Sequence, residues 1–305
     1  MGSRLTCRRW YAVGLVVALL LLPAPWNWGC AYGQGLFGVA NPLVPFVYSP
    51  GLRGEARATA IWMGIASGQN TLTLPALNRT WKLKDQFDMT KDNLFLDTML
   101  KFSVGPFSVR GHYEQRYFKG QANAQHGLYT GLADATFEYS GIRVGGDVDV
   151  FLPFGIYAGA NLDYDLYQPL FTEAVYSVQY GWRDDKQSGP VWVLGPGKKI
   201  EGEGALTLGA HIAANPIGSV YGVSGLFEIR ARWPLSGTQV TDLEISGGVR
   251  APETILGSVA LKFGWRQTKI FFSDTQPHPD SGLGAYDSDF DAVLDGWFGQ
   301  FSYYY

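Results

Sequence analysis

The sequence predicts an all-β fold, a closed antiparallel transmembrane β-barrel of about 12 strands within a range of roughly 10 to 14. Three observations predict it. Apolar and polar residues alternate with a period of two through segment after segment. Short turns alternate with long connections. The chain stops on "LDGWFGQFSYYY" (residues 294 to 305), in which every second residue back from the end is Tyr305, Tyr303, Phe301, Gly299 and Trp297. One face of that strand is almost purely aromatic.

Residues 1–33 read as a cleaved signal peptide, and residues 34–305 as a single barrel domain. Arg4, Arg8 and Arg9 make a basic start, followed by an apolar run over 11–22 and Pro23. That run is shorter than the roughly 20 residues a membrane helix needs. Ala31 and Gly33 supply the small residues of a signal-peptidase site. A lipid-attachment reading of Cys30 competes, but the preceding "NWG" lacks the small or aliphatic residues of such a site. Both cysteines, Cys7 and Cys30, lie in this segment, so the exported chain carries no disulfide. Loss of the three arginines, with no acid lost, takes the formal charge from −3 to −6. Nothing in that balance points to a nucleic-acid partner. The mean hydropathy is near neutral, as alternating outward apolar and inward polar residues require.

The strands follow in order. The first lies near 56–66. The second, 93–104, sets Leu94, Leu96, Leu100, Phe102 and Val104 against Asn93, Asp97, Lys101 and Ser103. Gly105-Pro106 turns the chain into 107–118, where Phe107, Val109, Tyr113 and Tyr117 oppose Ser108, Arg110, His112, Glu114 and Arg116. Strands at 133–140 and 142–152 are separated by a Ser140-Gly141 turn. Then come 156–166, a Gln168-Pro169 turn, 171–181, 205–213, 221–233, 241–250, 258–266 and the terminal strand. Short turns also fall at 215–218 and 251–254. Long connections are expected at 67–92, 120–129, 181–200 and 272–289. Two short connections, 153–155 and 234–237, fall where the alternation calls for long ones. The segment 67–92 reads as an exposed loop, with an inward-folded constriction as its alternative.

A soluble β-sandwich also alternates. Aromatics near the strand ends, Phe107, Tyr117, Tyr139, Tyr221, Trp233 and Trp265, instead fit girdles at two lipid interfaces. The opposite faces carry both signs of charge at similar levels, which fits a narrow lumen of paired ions. The lumen-facing candidates are Asp97, Lys101, Arg110, Glu114, Arg116, Arg143, Asp147, Asp149, Glu228, Arg230, Arg232, Asp242, Glu244 and Arg266.

With these features together, the chain resembles the bacterial (Gram-negative) outer-membrane β-barrel proteins, in architecture rather than in a narrower family's motifs. The resemblance implies residence in the outer membrane, contact with its lipid, and delivery by the barrel-assembly machinery. It also implies that Trp297, Phe301, Tyr303 and Tyr305 form the assembly signal of the last strand.

The function expected is passive: a narrow small-solute channel or a structural envelope protein with a charged lumen. An outer-leaflet barrel hydrolase acting on lipid or peptide is one alternative, and a soluble exported β-rich binding protein another. No catalytic residue, cofactor or metal is expected, and the sequence does not set the oligomeric state. Of the four histidines, His126 and His278 fall in long connections, while His112 and His211 face the lumen. "YGVSG" (221–225) has Leu226 where a nucleophile elbow needs Gly. "DSDFDAVLD" (287–295) starts like a calcium loop but has Ala292 in place of the Gly and Phe298 in place of the closing Glu. "GPGKK" (195–199) has Trp192 where a phosphate loop needs its first Gly.

Overall fold

The computed structural model describes residues 52–74, 77–89, 93–104, 106–126, 129–152, 156–166, 169–180, 198–214, 223–252, 254, 257–277 and 285–305. The signal peptide, the 215–218 turn, Tyr221, His278, the "GPGKK" start and most of 181–200 lie outside the described residues. So does the side chain of His126.

The strands are β1 (Leu52–Leu74), β2 (Leu77–Lys82), β3 (Asn93–Val104), β4 (Phe107–His126), β5 (Tyr129–Leu152), β6 (Ile156–Asp165) and β7 (Leu170–Tyr180). They continue as β8 (Lys198–Glu201), β9 (Leu206–Ala214), β10 (Ser224–Ser236), β11 (Gln239–Arg250), β12 (Ser258–Pro277) and β13 (Ala285–Tyr304). All pair antiparallel in one sheet, and the ring closes in the order β1-β3-β4-β5-β6-β9-β10-β11-β12-β13. Closure between the first and last strands runs from Glu55↔Tyr304 to Thr73↔Asp287, which leaves no open edge along the seam. The strand β2 is not a member of this ring; it pairs only with β1, beyond the stretch of β1 that pairs with β3.

The ring therefore has ten strands rather than twelve, and the difference has two causes. Ser140 and Gly141 make no turn; they lie opposite Gln115 and Glu114 inside an unbroken β4–β5 ladder. Ser-Gly is turn chemistry by composition, but a strand also tolerates Gly where its neighbours fill the space. Nor does Gln168-Pro169 reverse the chain. Strands β6 and β7 pair with the same edge of β5, at Arg143↔Asp165 and then Glu138↔Leu170, so they form one lane with a gap. Pro169 has no N–H to give the ladder, and its carbonyl instead accepts from Gly202 at 2.8 Å. Strands β8 and β9 share the next lane in the same manner. With 133–152 one strand, the β5–β6 ladder ends at Leu152↔Ile156, at the same end of the barrel as Val104↔Phe107 of the β3–β4 ladder, and residues 153–155 lie outside the described residues. The short 234–237 connection is a tight hairpin whose Gly237 adopts φ 75°, a conformation glycine reaches without strain.

Two of the expected long connections are strand. The β4–β5 ladder runs to His126↔Tyr129 and the β12–β13 ladder to Pro277↔Ala285. These strands outrun the bilayer, and their polarity inverts part of the way along. On β12, Leu261 and Phe263 point outward while Lys262 and Arg266 point inward; further along, Lys269 and Ser273 point outward while Ile270 and Phe272 are buried. On β5, Ile142, Val144 and Val148 face out against Arg143 and Asp147, whereas beyond Gly141 it is Phe137 and Tyr139 that face in. Tyr139 is 1% exposed and is therefore not a girdle residue. Phe107, Tyr117 and Trp233 do lie exposed on the outside, and Trp265 is half-exposed there.

The inversion marks a solvent boundary. Below it the apolar face is outside, where lipid is the solvent; above it the apolar face is inside, as in a water-soluble protein. Trp297 pairs with Trp62 on one side and Trp265 on the other, an outward row of three indoles at the boundary. From Trp297 to Tyr305, at about 3.3 Å per residue and roughly 40° of tilt, the apolar band is about 20 Å tall, near the ~25 Å expected of such a belt.

Above the boundary the lumen is filled. Phe290 lies 4.7 Å from Phe137, 5.0 Å from Phe171 and 4.8 Å from Phe272, ring centre to ring centre. The segment 83–89 is neither an exposed loop nor a constriction among the charges. It wedges between β1 and β4, with backbone bonds from Leu83 N to Gly68 O, Ile65 N to Met89 O and Gln121 N to Phe87 O. Leu83, Phe87 and Met89 join the aromatic core.

Candidate functional site: the charged interior

Inward positions of the membrane-level strands carry ionised side chains, and ten strands converge them on one axis. The central feature is a closed cycle of six. Arg266 on β12 meets Glu114 on β4 at 3.0 Å, and Glu114 meets Arg143 on β5 at 2.8 Å. Arg143 meets Asp165 on β6 at 2.5 Å, and Asp165 meets Arg232 on β10 at 3.5 Å. Arg232 pairs with Asp242 on β11, and Asp242 returns to Arg266 at 3.1 Å. Arg116 and Asp97 join through Arg266, which reaches Asp97 at 3.4 Å. Four arginines and four carboxylates thus cancel in one layer. Arg116 also lies 5.8 Å from the Phe95 ring, tying the ionic layer to the aromatic core above it. Burying eight ions carries a large desolvation cost, which alternating contacts and multiple hydrogen bonds offset.

Below this layer, toward the turn end, two looser groups follow. In the first, Arg110 holds Asp163 at 2.6 Å and Asp147 at 3.2 Å, while Lys101 holds Asp147 at 3.0 Å and Asp149 at 3.2 Å. His211 Nε2 lies 3.0 Å from Asp149. In the second, Glu55 pairs with Arg57 at 3.1 Å, and Glu228 is shared by Arg230 at 2.5 Å and Lys262 at 2.7 Å. The Arg116 side chain is 1% exposed and the Arg230 side chain 24%, the most exposed of the paired side chains described.

All fourteen lumen candidates lie on inward-facing strand positions. Thirteen make ion pairs, and the other, Glu244, lines the cavity between the groups together with Arg57, Arg230 and Arg266. Sequence reasoning left Glu55, Arg57, Asp163, Asp165 and Lys262 off the candidate set, while His112 and His211, which it placed facing the lumen, lie beside Glu114 and Asp149. Asp163, Asp165 and Lys262 had the necessary signal, since they share the polar parity of their strands. Arg57 had a weaker one, because "ARATA" sets it against only small residues.

Asp97, His112 and Glu114 place ligand-type atoms within 4.8 Å of one another. These carboxylates already face Arg116, Arg143 and Arg266, so a dication would enter a site surrounded by guanidinium groups. The chemistry there is ion pairing. His112 contacts Glu114 at 3.4 Å and Arg143 at 3.3 Å, and no serine or cysteine nucleophile forms part of that cluster among the described residues. Asp287, Asp289 and Asp291 alternate on the outer face of β13, about 7 Å apart along an extended strand, and not around a calcium loop.

The residues expected to carry the assembly signal lie at the seam. Trp297 is exposed on the outside and stacks on Phe263 at 5.5 Å. Phe301 lies exposed on the same face. Tyr303 stacks on Tyr305 at 5.9 Å, and Tyr305 exchanges two backbone hydrogen bonds with Gly54, at 2.8 and 3.0 Å.

Fold and interior together define a transmembrane β-barrel: closed, antiparallel, apolar on the outside and ionic within. No protein-family model and no curated protein matches the sequence. Solved structures similar to it are Gram-negative outer-membrane barrels. Ail, the attachment invasion locus protein of Yersinia pestis, is 9% identical over 80% of this chain and 98% of its own, with a TM-score of 0.28. A Pseudomonas aeruginosa FadL homologue is 8% identical over 92% and 97%, with a TM-score of 0.30. The Pseudomonas putida toluene transporter TodX is 6% identical over 88% and 96%, with a TM-score of 0.27. These scores are too low to bring any function from those proteins to this chain.

Proposed function

We propose that the protein is a bacterial outer-membrane β-barrel with a closed lumen, a structural envelope protein that holds a packed β-platform above the outer leaflet. The observation that carries this reading is the stack formed by the closed arginine–carboxylate cycle and the phenylalanine core. Two chemically different plugs in series fill the barrel. A narrow channel would need a wet path past side chains such as Glu114, Arg116, Phe137 and Phe290, each buried to within 1%. The turn end faces the periplasm in this reading, and the long strands project outside the cell. Residence in the outer membrane rests on the signal-peptide pattern and the apolar belt. Trp297, Phe301, Tyr303 and Tyr305 remain the proposed contact with the assembly machinery.

Proteoliposome swelling tests the closed lumen. Vesicles carrying the refolded protein should swell no faster in small sugars than empty vesicles do; sugar-dependent swelling would make the protein a channel. A boiled and an unboiled sample on a gel test the barrel itself, which should migrate faster when unboiled.

A further inference from the structure

Beneath the ionic cycle lies a cavity of about 70 Å³ that the neutral bookkeeping of the pairs does not explain. Six guanidinium groups line it, those of Arg57, Arg110, Arg143, Arg230, Arg232 and Arg266, against the three carboxylates of Asp163, Asp242 and Glu244. Most of the arginine donors are used on acids behind the wall. One is not. Arg232 is 5% exposed, yet its Nε–H has no hydrogen-bond partner. Arg230 engages Glu228 through Nε, and its side chain is 24% exposed, so its guanidinium group is open to a solute. A buried donor left unpaired costs about 1–3 kcal/mol, and an anion that accepts from it lowers that cost.

Acceptors are also left over. Asp242 gives Oδ2 to Arg232 and Arg266, while its buried Oδ1 has no hydrogen-bond partner. Glu244, in the same lining, makes no ion pair among the described residues. The cavity therefore offers an arginine-rich wall with unused carboxylate oxygens. A fully deprotonated anion satisfies only the donors. An oxyanion that retains a proton satisfies both, because its O–H donates to Asp242 while its other oxygens accept from the arginines. A cavity of about 70 Å³ has room for one tetrahedral ion. Arg230, the most exposed of the lining arginines whose ion pairs are described, places the entrance at the turn end.

We propose that this cavity is a binding site for a small protonated oxyanion, of which inorganic phosphate is the simplest, reached from the turn end of the barrel. The site does not depend on the lumen being sealed above it, so conductance and binding fail separately.

Isothermal titration of the refolded protein in detergent tests the site, with inorganic phosphate and sulfate as the two probes at neutral pH. Saturable phosphate binding is expected, with sulfate at least about tenfold weaker. Arg230→Gln, which lies outside the ionic cycle, should weaken phosphate binding by about tenfold or more while keeping the gel shift of a folded barrel. Asp242→Asn should narrow the difference between the two ions, and because it touches the cycle it is read only in protein that retains the gel shift. Absence of saturable phosphate binding, equal binding of the two ions by the wild type, or unchanged phosphate binding in folded Arg230→Gln would overturn the proposal.

Discussion

Arg116 and Asp97 face each other across the interior through two hydrogen bonds, at 2.5 and 2.8 Å, both side chains buried. They belong to neighbouring strands, β4 and β3, but their ladder does not reach this level: the β3–β4 pairing stops at Thr98↔Tyr113. The ion pair thus continues a contact where backbone pairing has ended. Replacing Arg116 with Met should leave Asp97 only its longer contact with Arg266, at 3.4 Å, and cost about 3–5 kcal/mol. The double change Arg116→Met with Asp97→Leu should recover most of that loss. Urea midpoints in lipid vesicles measure both; a double variant as unstable as the single would show that the pair is not the unit.

The inversion of polarity along β12 makes a position-dependent prediction. Leu261 and Ser273 lie on the same outward face of one strand. Leu261→Arg places a charge in the belt and should cost about 2–4 kcal/mol. Ser273→Arg lies above the tryptophan row and should change stability by less than about 0.5 kcal/mol. Equal effects at the two sites would move the membrane boundary away from Trp265 and Trp297.

Phe290 contacts three other rings, and truncation to Ala should destabilise the upper sheet by roughly 3–5 kcal/mol. The belt below contributes none of those contacts, so membrane insertion should survive. Limited proteolysis of the reconstituted variant is expected to cut above the Trp62–Trp297–Trp265 row and spare the strands below. Failure of the variant to insert would make the core part of barrel closure itself.

Deleting 303–305 removes the Tyr303–Tyr305 stack and both Gly54–Tyr305 backbone bonds at the seam. Outer-membrane levels should fall, and the unboiled gel band should weaken. Normal levels of folded protein would remove these residues from the assembly signal.

Much of this architecture is legible in the sequence, because a two-residue period survives in either solvent. That Arg110, Glu114 and Arg116 share one face of their strand, and Arg143 and Asp147 one face of theirs, follows from parity alone. Parity does not say which face is inside, however. On β5 the apolar set at Phe137 and Tyr139 reads as lipid-facing by analogy with Ile142 and Val144, although the two sets are of opposite parity. Ser140-Gly141 then reads as a turn that resets the count, when the strand in fact crosses a solvent boundary there. The same error supplies one surplus strand, and the Pro169 gap supplies the other. The closed six-residue cycle joins positions up to 152 residues apart, and only the ring's register brings them to one level.

The central claim is that the barrel has no conducting path. Planar-bilayer recording of the refolded protein tests it most directly. The arginine–carboxylate cycle and the Phe290 core predict a flat baseline, without unitary steps, in potassium chloride at either polarity. Reproducible unitary conductance from the wild-type protein, absent from detergent-only controls, would contradict it.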